Sequence, residues 1–211
     1  MSRSIKLSWR NWNPGLDNDH LTLGDVLDSL PAANPDDIPF LIRLLENPAS
    51  PIALPGAITL ARHDAIHVLL GRGLLPQDEA FVIGFTMGAS KNCKNWQKML
   101  FKFASRYFYP GPYRFSRDDL LAYDMAFGLG SSSAAEDLEY FPFERFMDLS
   151  IRDLRKRLGI DRLKLYAVYR HEQIVVAGSP SSLRLDSDLM GNDPSSIRPL
   201  DGEDSDWKKE R

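Results

Sequence analysis

The chain predicts an all-α fold: a bundle of about seven helices, followed by a small C-terminal hairpin and a disordered tail. Three observations carry that expectation. Apolar residues recur at spacings of three and four over long stretches. Capping residues and prolines punctuate these stretches about one helix length apart. The connections between them are short, which fits helices packed on one another. A chain of 211 residues makes one domain, or one domain plus a tail, with enough length for a sizeable core.

Residues 1–20 read as an N-terminal arm. The first sixteen carry Arg3, Lys6 and Arg10 and no acid. That is faintly like an organelle transit peptide, but Pro14-Gly15 interrupts it, and a solvated arm is the simpler reading. Thr22 is placed to cap a short helix through Leu23, Val26, Leu27 and Leu30, stopped by Pro31. Asn34-Pro35-Asp36-Asp37 starts a second helix, its acids suited to the dipole, and Pro48 ends it. Pro55 fits the first position of a third helix, near 55–71, and Pro76 opens a fourth, about 76–89. Gly84 and Gly88 lie four apart in that fourth helix, so another helix can approach closely there.

A long helix follows near 92–108 and ends at Tyr109-Pro110-Gly111-Pro112. Ser116 caps the next, about 117–130, after which Gly128, Gly130 and the serines at 131–133 read as a flexible break. Pro142 opens the last helix, which carries Phe143, Phe146, Leu149, Leu154 and Leu158 and ends at Gly159. This completes a helical domain over 21–160. Beyond it Leu163, Leu165, Ala167 and Tyr169 alternate with more polar residues, and Ile174-Val175-Val176 follows a polar triplet. That pattern predicts a β-hairpin over 161–178. Residues 179–211 are rich in Ser, Asp and Pro and read as a disordered tail, dispensable for folding.

The net charge of −3 argues against broad nucleic-acid binding. The single Cys93 excludes an internal disulfide framework and a cysteine-based zinc site. No run of about 18 apolar residues is present, so nothing spans a membrane as a helix. The first twenty residues lack a secretory apolar region, so the expected location is cytoplasmic or organellar rather than secreted.

The chemistry concentrates at 62–79. His63 and His67 stand four apart, so both imidazoles project from one helical face, and Asp64 adjoins them. Gly71 and Gly73 end that helix, and Glu79 falls in the first turns of the returning one. A two-helix hairpin can close Glu79 onto the histidines. The resulting set, His63, Asp64, His67 and Glu79, suits a divalent metal, with zinc first and magnesium second. Buried histidines satisfied by hydrogen bonds are the plainer alternative.

His-Asp-x-x-His, eleven residues, then Glu resembles the signature of the Coq-four family of ubiquinone (coenzyme Q) biosynthesis. The flanking Leu69-Leu70-Gly71 is similar too, as are Phe143-Glu144-Arg145-Phe146, the run Ser150-Ile151-Arg152-Asp153-Leu154-Arg155, and Leu158-Gly159-Ile160. The resemblance covers about residues 58–160. It implies an all-α protein, peripheral to a membrane, that binds a zinc-type metal through these four residues and a polyprenyl lipid or quinone precursor. It also implies head-group decarboxylation, of the polyprenylbenzoate carboxy-lyase type, and association with other quinone-biosynthesis proteins and with a second copy of the chain.

The helix near 92–108 carries a basic stripe (Lys91, Lys94, Lys98, Lys102, Arg106) beside an aromatic and apolar one (Trp96, Leu100, Phe103, Tyr107). Such a helix can lie on an anionic membrane surface, with Lys94, Lys98 and Lys102 toward lipid phosphate and Trp96 in the apolar layer. A core-packed helix with a solvated lysine face is the alternative. Aromatics clustered at 101–115 and 140–146 could line a tunnel for an apolar tail or simply fill a core. Two other functions compete: a non-catalytic prenyl-lipid-binding scaffold, and an HD-type metal phosphohydrolase drawing on His20 and one of Asp118, Asp119 or Asp124.

Overall fold

In the computed structural model, residues 9–31, 54–135 and 137–189 are described. Helix α1 (Leu23–Leu27) opens on Thr22, whose Oγ1 accepts from Asp25 N at 3.1 Å. α2 (Leu60–Leu70) begins after Thr59 rather than at Pro55. Gly56 has φ +82° there, and a Cβ would come within 3.0 Å of the Met87 backbone, so this stretch packs as a turn. α3 (Pro76–Ala89) starts on its proline as expected, with Asp78 Oδ2 accepting from Leu75 N at 3.2 Å. α4 spans Asn95–Tyr107. α5 (Arg117–Ser132) opens on Ser116, whose Oγ accepts from Asp119 N at 3.1 Å. α6 (Ile151–Arg157), α7 (Arg162–Val175) and α8 (Pro180–Leu189) complete the order. The fold is all-α, and the described residues contain no strand.

Five expectations need correction. The hairpin over 161–178 is α7. Asp161 Oδ1 accepts from Leu163 N at 2.9 Å and starts a helix whose buried residues are Leu165, Tyr169 and Glu172, a helical spacing. The tail is not disordered from 179, because α8 docks with Ser181, Ser182 and Leu185 buried. Residues 9–20 are not a solvated arm: Leu16 is fully buried and Trp12 nearly so, while Asp17 and Asp19 pair with Arg162 and Arg155. The helix from Pro142 breaks at Ser150, which caps α6 afresh by accepting from Asp153 N at 3.1 Å. Finally, α5 continues through Gly128 and Gly130 instead of breaking there. The second helix expected at 34–48 lies outside the described residues, as do 1–8 and 190–211.

α3 is the central element. Phe81, Val82 and Phe85 face one core, with Leu69, Leu70, Leu138, Leu154 and Leu165. Ala80 and Met87 face a second, with Phe101, Tyr109, Phe115 and Tyr123. A helix buried on both sides is apolar nearly all round. It meets α5 along a glycine seam, as the spacing of Gly84 and Gly88 suggested. A Cβ at Gly84 would lie 2.4 Å from Tyr123 O, and one at Gly88 2.3 Å from Phe127 O. A four-residue step on α3 matches a four-residue step on α5, so the two helices run in the same direction. Gly130 returns the contact against Phe85 O.

Deleting α8 tests the corrected C-terminus. Truncation after Gly178 exposes the sites now filled by Leu185, Ser181 and Ser182, which should lower the thermal midpoint by about 5–10 °C. An unchanged midpoint would mean that α8 adds nothing to stability.

Candidate metal centre

α2 and α3 form a hairpin about Gly71, which has φ +68°. A Cβ at Gly71 would strike the Gly15 backbone at 2.6 Å, so glycine is required both for the turn and for the passing chain. The last four carbonyls of a helix have no partner within it. In α2 each finds one. His67 O accepts from Arg72 N at 2.9 Å and Val68 O from Asn18 Nδ2 at 3.2 Å. Leu69 O accepts from Arg155 Nε at 2.8 Å, and Leu70 O from the Tyr169 hydroxyl. The turn that carries His67 is thereby fixed from three distant parts of the chain.

The hairpin brings His63, His67 and Glu79 together. The two Nε2 atoms are 2.9 Å apart, and Glu79 Oε2 lies 3.0 Å from His63 Nε2 and 3.4 Å from His67 Nε2. His67 is fully buried, whereas His63 and Glu79 are partly open to solvent. These three residues form a group able to hold a metal ion. Asp64 stands outside that converging set, although its charge is felt there. It was expected as the fourth ligand. It directly follows His63, so its side chain leaves the helix about 100° away.

The donor set fits a cation. Ligands at zinc bonding distance from one centre stand about 3.3 Å from each other, close to the separations here. Two facing imidazole nitrogens and a carboxylate oxygen also hold more lone pairs than shared protons. His67 Nδ1 is buried with no hydrogen-bond partner, so no second group fixes which ring nitrogen carries the proton. Burial on its own raises the Glu79 carboxyl. The charge of His67 and hydrogen bonds from both imidazoles outweigh that and hold it well below its ordinary value. Asp64 moves the other way: burial lifts it, against the pull of His63 and His67.

The other expected site residues divide. Trp96 is 60% exposed, in a stripe with Met99, Leu100, Phe103, Tyr107 and Phe108 along α4. Lys98 and Lys102 lie beside Asp124 at 3.0 and 2.5 Å, so they serve an intramolecular pair rather than a free basic face. Lys94 is exposed. The aromatic cluster also splits: Phe101, Tyr109 and Phe115 are core, whereas Phe103, Tyr107 and Phe108 are surface. Glu144 pairs with Arg62 at 3.0 Å, one residue before His63. His20 is exposed, and Asp119 is committed to the cap of α5 through Ser116 N at 2.7 Å.

Sequence reasoning missed Arg72, Gln77, Arg155, Tyr169 and Glu172, all buried around the hairpin. A helix C-terminus followed by two glycines leaves carbonyls that need donors, which was the available signal.

The depressed Glu79 carboxyl has a consequence in acid. Its folded value lies below its unfolded one. The pairing therefore stabilises the metal-free protein above the ordinary carboxylate range and is lost as pH falls through the folded value. Metal-free Glu79→Gln should thus lose less stability than wild type between about pH 5 and pH 2. Identical acid limbs in urea melts would show that the pairing contributes nothing.

No protein-family model matches the chain, and neither does any curated protein or solved structure.

Proposed function

We propose that the chain is a quinone-biosynthesis protein of the ubiquinone type that binds zinc at His63, His67 and Glu79 and acts on a prenylated aromatic precursor. The observation that carries this reading is the convergence of two imidazole nitrogens and one carboxylate oxygen from a single hairpin. Two imidazoles favour zinc over magnesium. Three protein ligands leave a coordination position open, which is the pattern of catalytic zinc and not of a closed structural site. That supports an enzyme, a metal-dependent carboxy-lyase, over a non-catalytic lipid-binding scaffold. When bound, the cation would polarise a carboxylate or phenolate oxygen of the head group and stabilise the charge left as carbon dioxide departs. His67, fully buried, and the partly exposed His63 and Glu79 would hold it.

The apolar stripe of α4 supports a peripheral membrane role, because contiguous exposed apolar surface marks an interaction site. No helix among the described residues is long and apolar enough to cross a membrane. With Lys98 and Lys102 turned to Asp124, attachment rests on apolar burial more than on charge. A polyprenyl lipid, other quinone-biosynthesis proteins and a second copy of the chain are the partners this reading implies. An HD-type phosphohydrolase is less well supported: of its three candidate acids, Asp119 caps α5, Asp124 holds two lysines and Asp118 is exposed, and the cluster at His63, His67 and Glu79 includes none of them.

Purified protein should hold close to one zinc per chain by elemental mass spectrometry, and His67→Ala should lose most of it. Full metal content in that variant would refute the assignment. Polyprenyl lipid in the copurifying extract would support the substrate class, and bound nucleotide would reverse it.

The membrane reading has its own test. Trp96→Ala should weaken cosedimentation with anionic liposomes about tenfold, with little salt dependence and an unchanged thermal midpoint. Wild-type protein left in the supernatant at every lipid concentration would end it.

A further inference from the structure

One helix grips both halves of the metal hairpin. Tyr169 of α7 donates its hydroxyl hydrogen to Leu70 O, the final carbonyl of α2. Three positions on, Glu172 accepts from Gln77 Nε2 at 2.5 Å, in the first turn of α3. Glu172 also accepts from Arg72 Nη1 at 3.0 Å, in the turn between the two helices. Tyr169, Glu172 and Arg72 are fully buried. Residues three apart on a helix share a face. A single rigid surface of α7 therefore meets the end of the helix that carries His67 and the start of the helix that carries Glu79.

We propose that Tyr169 and Glu172 are positioning residues that set the separation of His67 from Glu79, and through it the affinity and geometry of the metal centre. The proposal rests on the metal reading above. His67 lies three residues before Leu70, and Glu79 two residues after Gln77, so each ligand is within one turn of its grip. Without the Tyr169 hydroxyl, Leu70 O loses its donor, the end of α2 keeps only its ties to Asn18, Arg155 and the Arg72 amide, and His67 is held less tightly. Without the Glu172 carboxylate, Gln77 keeps only Ser182, at 3.0 Å, and the first turn of α3 loses its tie to α7. A ligand set must be held within about 0.5 Å of its working geometry, which neither helix achieves through its own hydrogen bonds.

The test is a cobalt(II) titration of metal-free, full-length protein, read by its visible spectrum, beside thermal melts and circular dichroism. Tyr169→Phe removes one hydroxyl and keeps the ring against Phe81, at 5.3 Å, and below the Arg72 guanidinium, at 4.2 Å. Glu172→Gln keeps the shape and removes the charge. Leu163→Ala, exposed on the same helix, is the control. Each of the first two should retain its helix content, bind cobalt about tenfold more weakly than wild type and shift the visible bands. The control should match wild type. A lower thermal midpoint with unchanged cobalt affinity and spectrum would overturn the proposal, because a merely structural role gives that result. Should Glu172→Gln fail to fold, Tyr169→Phe alone decides. Wild type that binds no cobalt would fail before any variant is compared, overturning the metal reading and this proposal with it.

Discussion

The structure depends on a guanidinium that has no contact with water. Arg72 is fully buried in the turn between α2 and α3, stacked between the rings of Phe81, at 3.7 Å, and Tyr169, at 4.2 Å. Burial works against its charge, but the Glu172 carboxylate, with Asp78 at 3.5 Å behind it, holds the group firmly protonated. Removing one partner from such a pair leaves a bare charge in the core, at about 3–5 kcal/mol. Its backbone amide also caps His67 O. One residue thus fixes the turn that aims the histidines, and its partners commit α7 and the start of α3 to the same place.

Two kinds of adhesion divide the remaining work. On one side of α3 the glycine seam brings α5 to backbone contact, where close packing sets the distance and no side chain intervenes. At the end of α2 and the start of α3 the contacts are polar and directional: Arg155 on Leu69 O and Leu16 O, Asn18 on Val68 O, Gln77 on Glu172 and Ser182. Packing density alone would leave α2 free to slide. Hydrogen bonds to its terminal carbonyls do not.

Much of this was legible in the residues. Thr22, Pro76 and Ser116 announced their helices because capping is local chemistry, and His63, His67 and Glu79 announced their meeting because a tight turn leaves a hairpin little freedom. α7 was misread because Leu163, Leu165, Ala167 and Tyr169 alternate like a strand. Its true buried set, Leu165, Tyr169 and Glu172, hides the helical period behind a glutamate. α8 was misread because Ser179-Pro180, a start signal, was counted as composition. A buried Arg72 and Glu172 are invisible to any rule that puts charges outside, since each is tolerable only with the other.

The order in which the chain is made gives these long-range grips a temporal meaning. Synthesis runs from the N-terminus, and α2 and α3 emerge as a hairpin with most of their supports still unmade. Gln77 waits 95 residues for Glu172, and Leu16 waits 139 for Arg155. Until then the carbonyls of Leu69 and Leu70 face water, and the histidines have neighbours but no fixed aim. The group of His63, His67 and Glu79 is therefore among the last parts of the molecule to take its final geometry, and that geometry belongs to the finished chain and not to the nascent one.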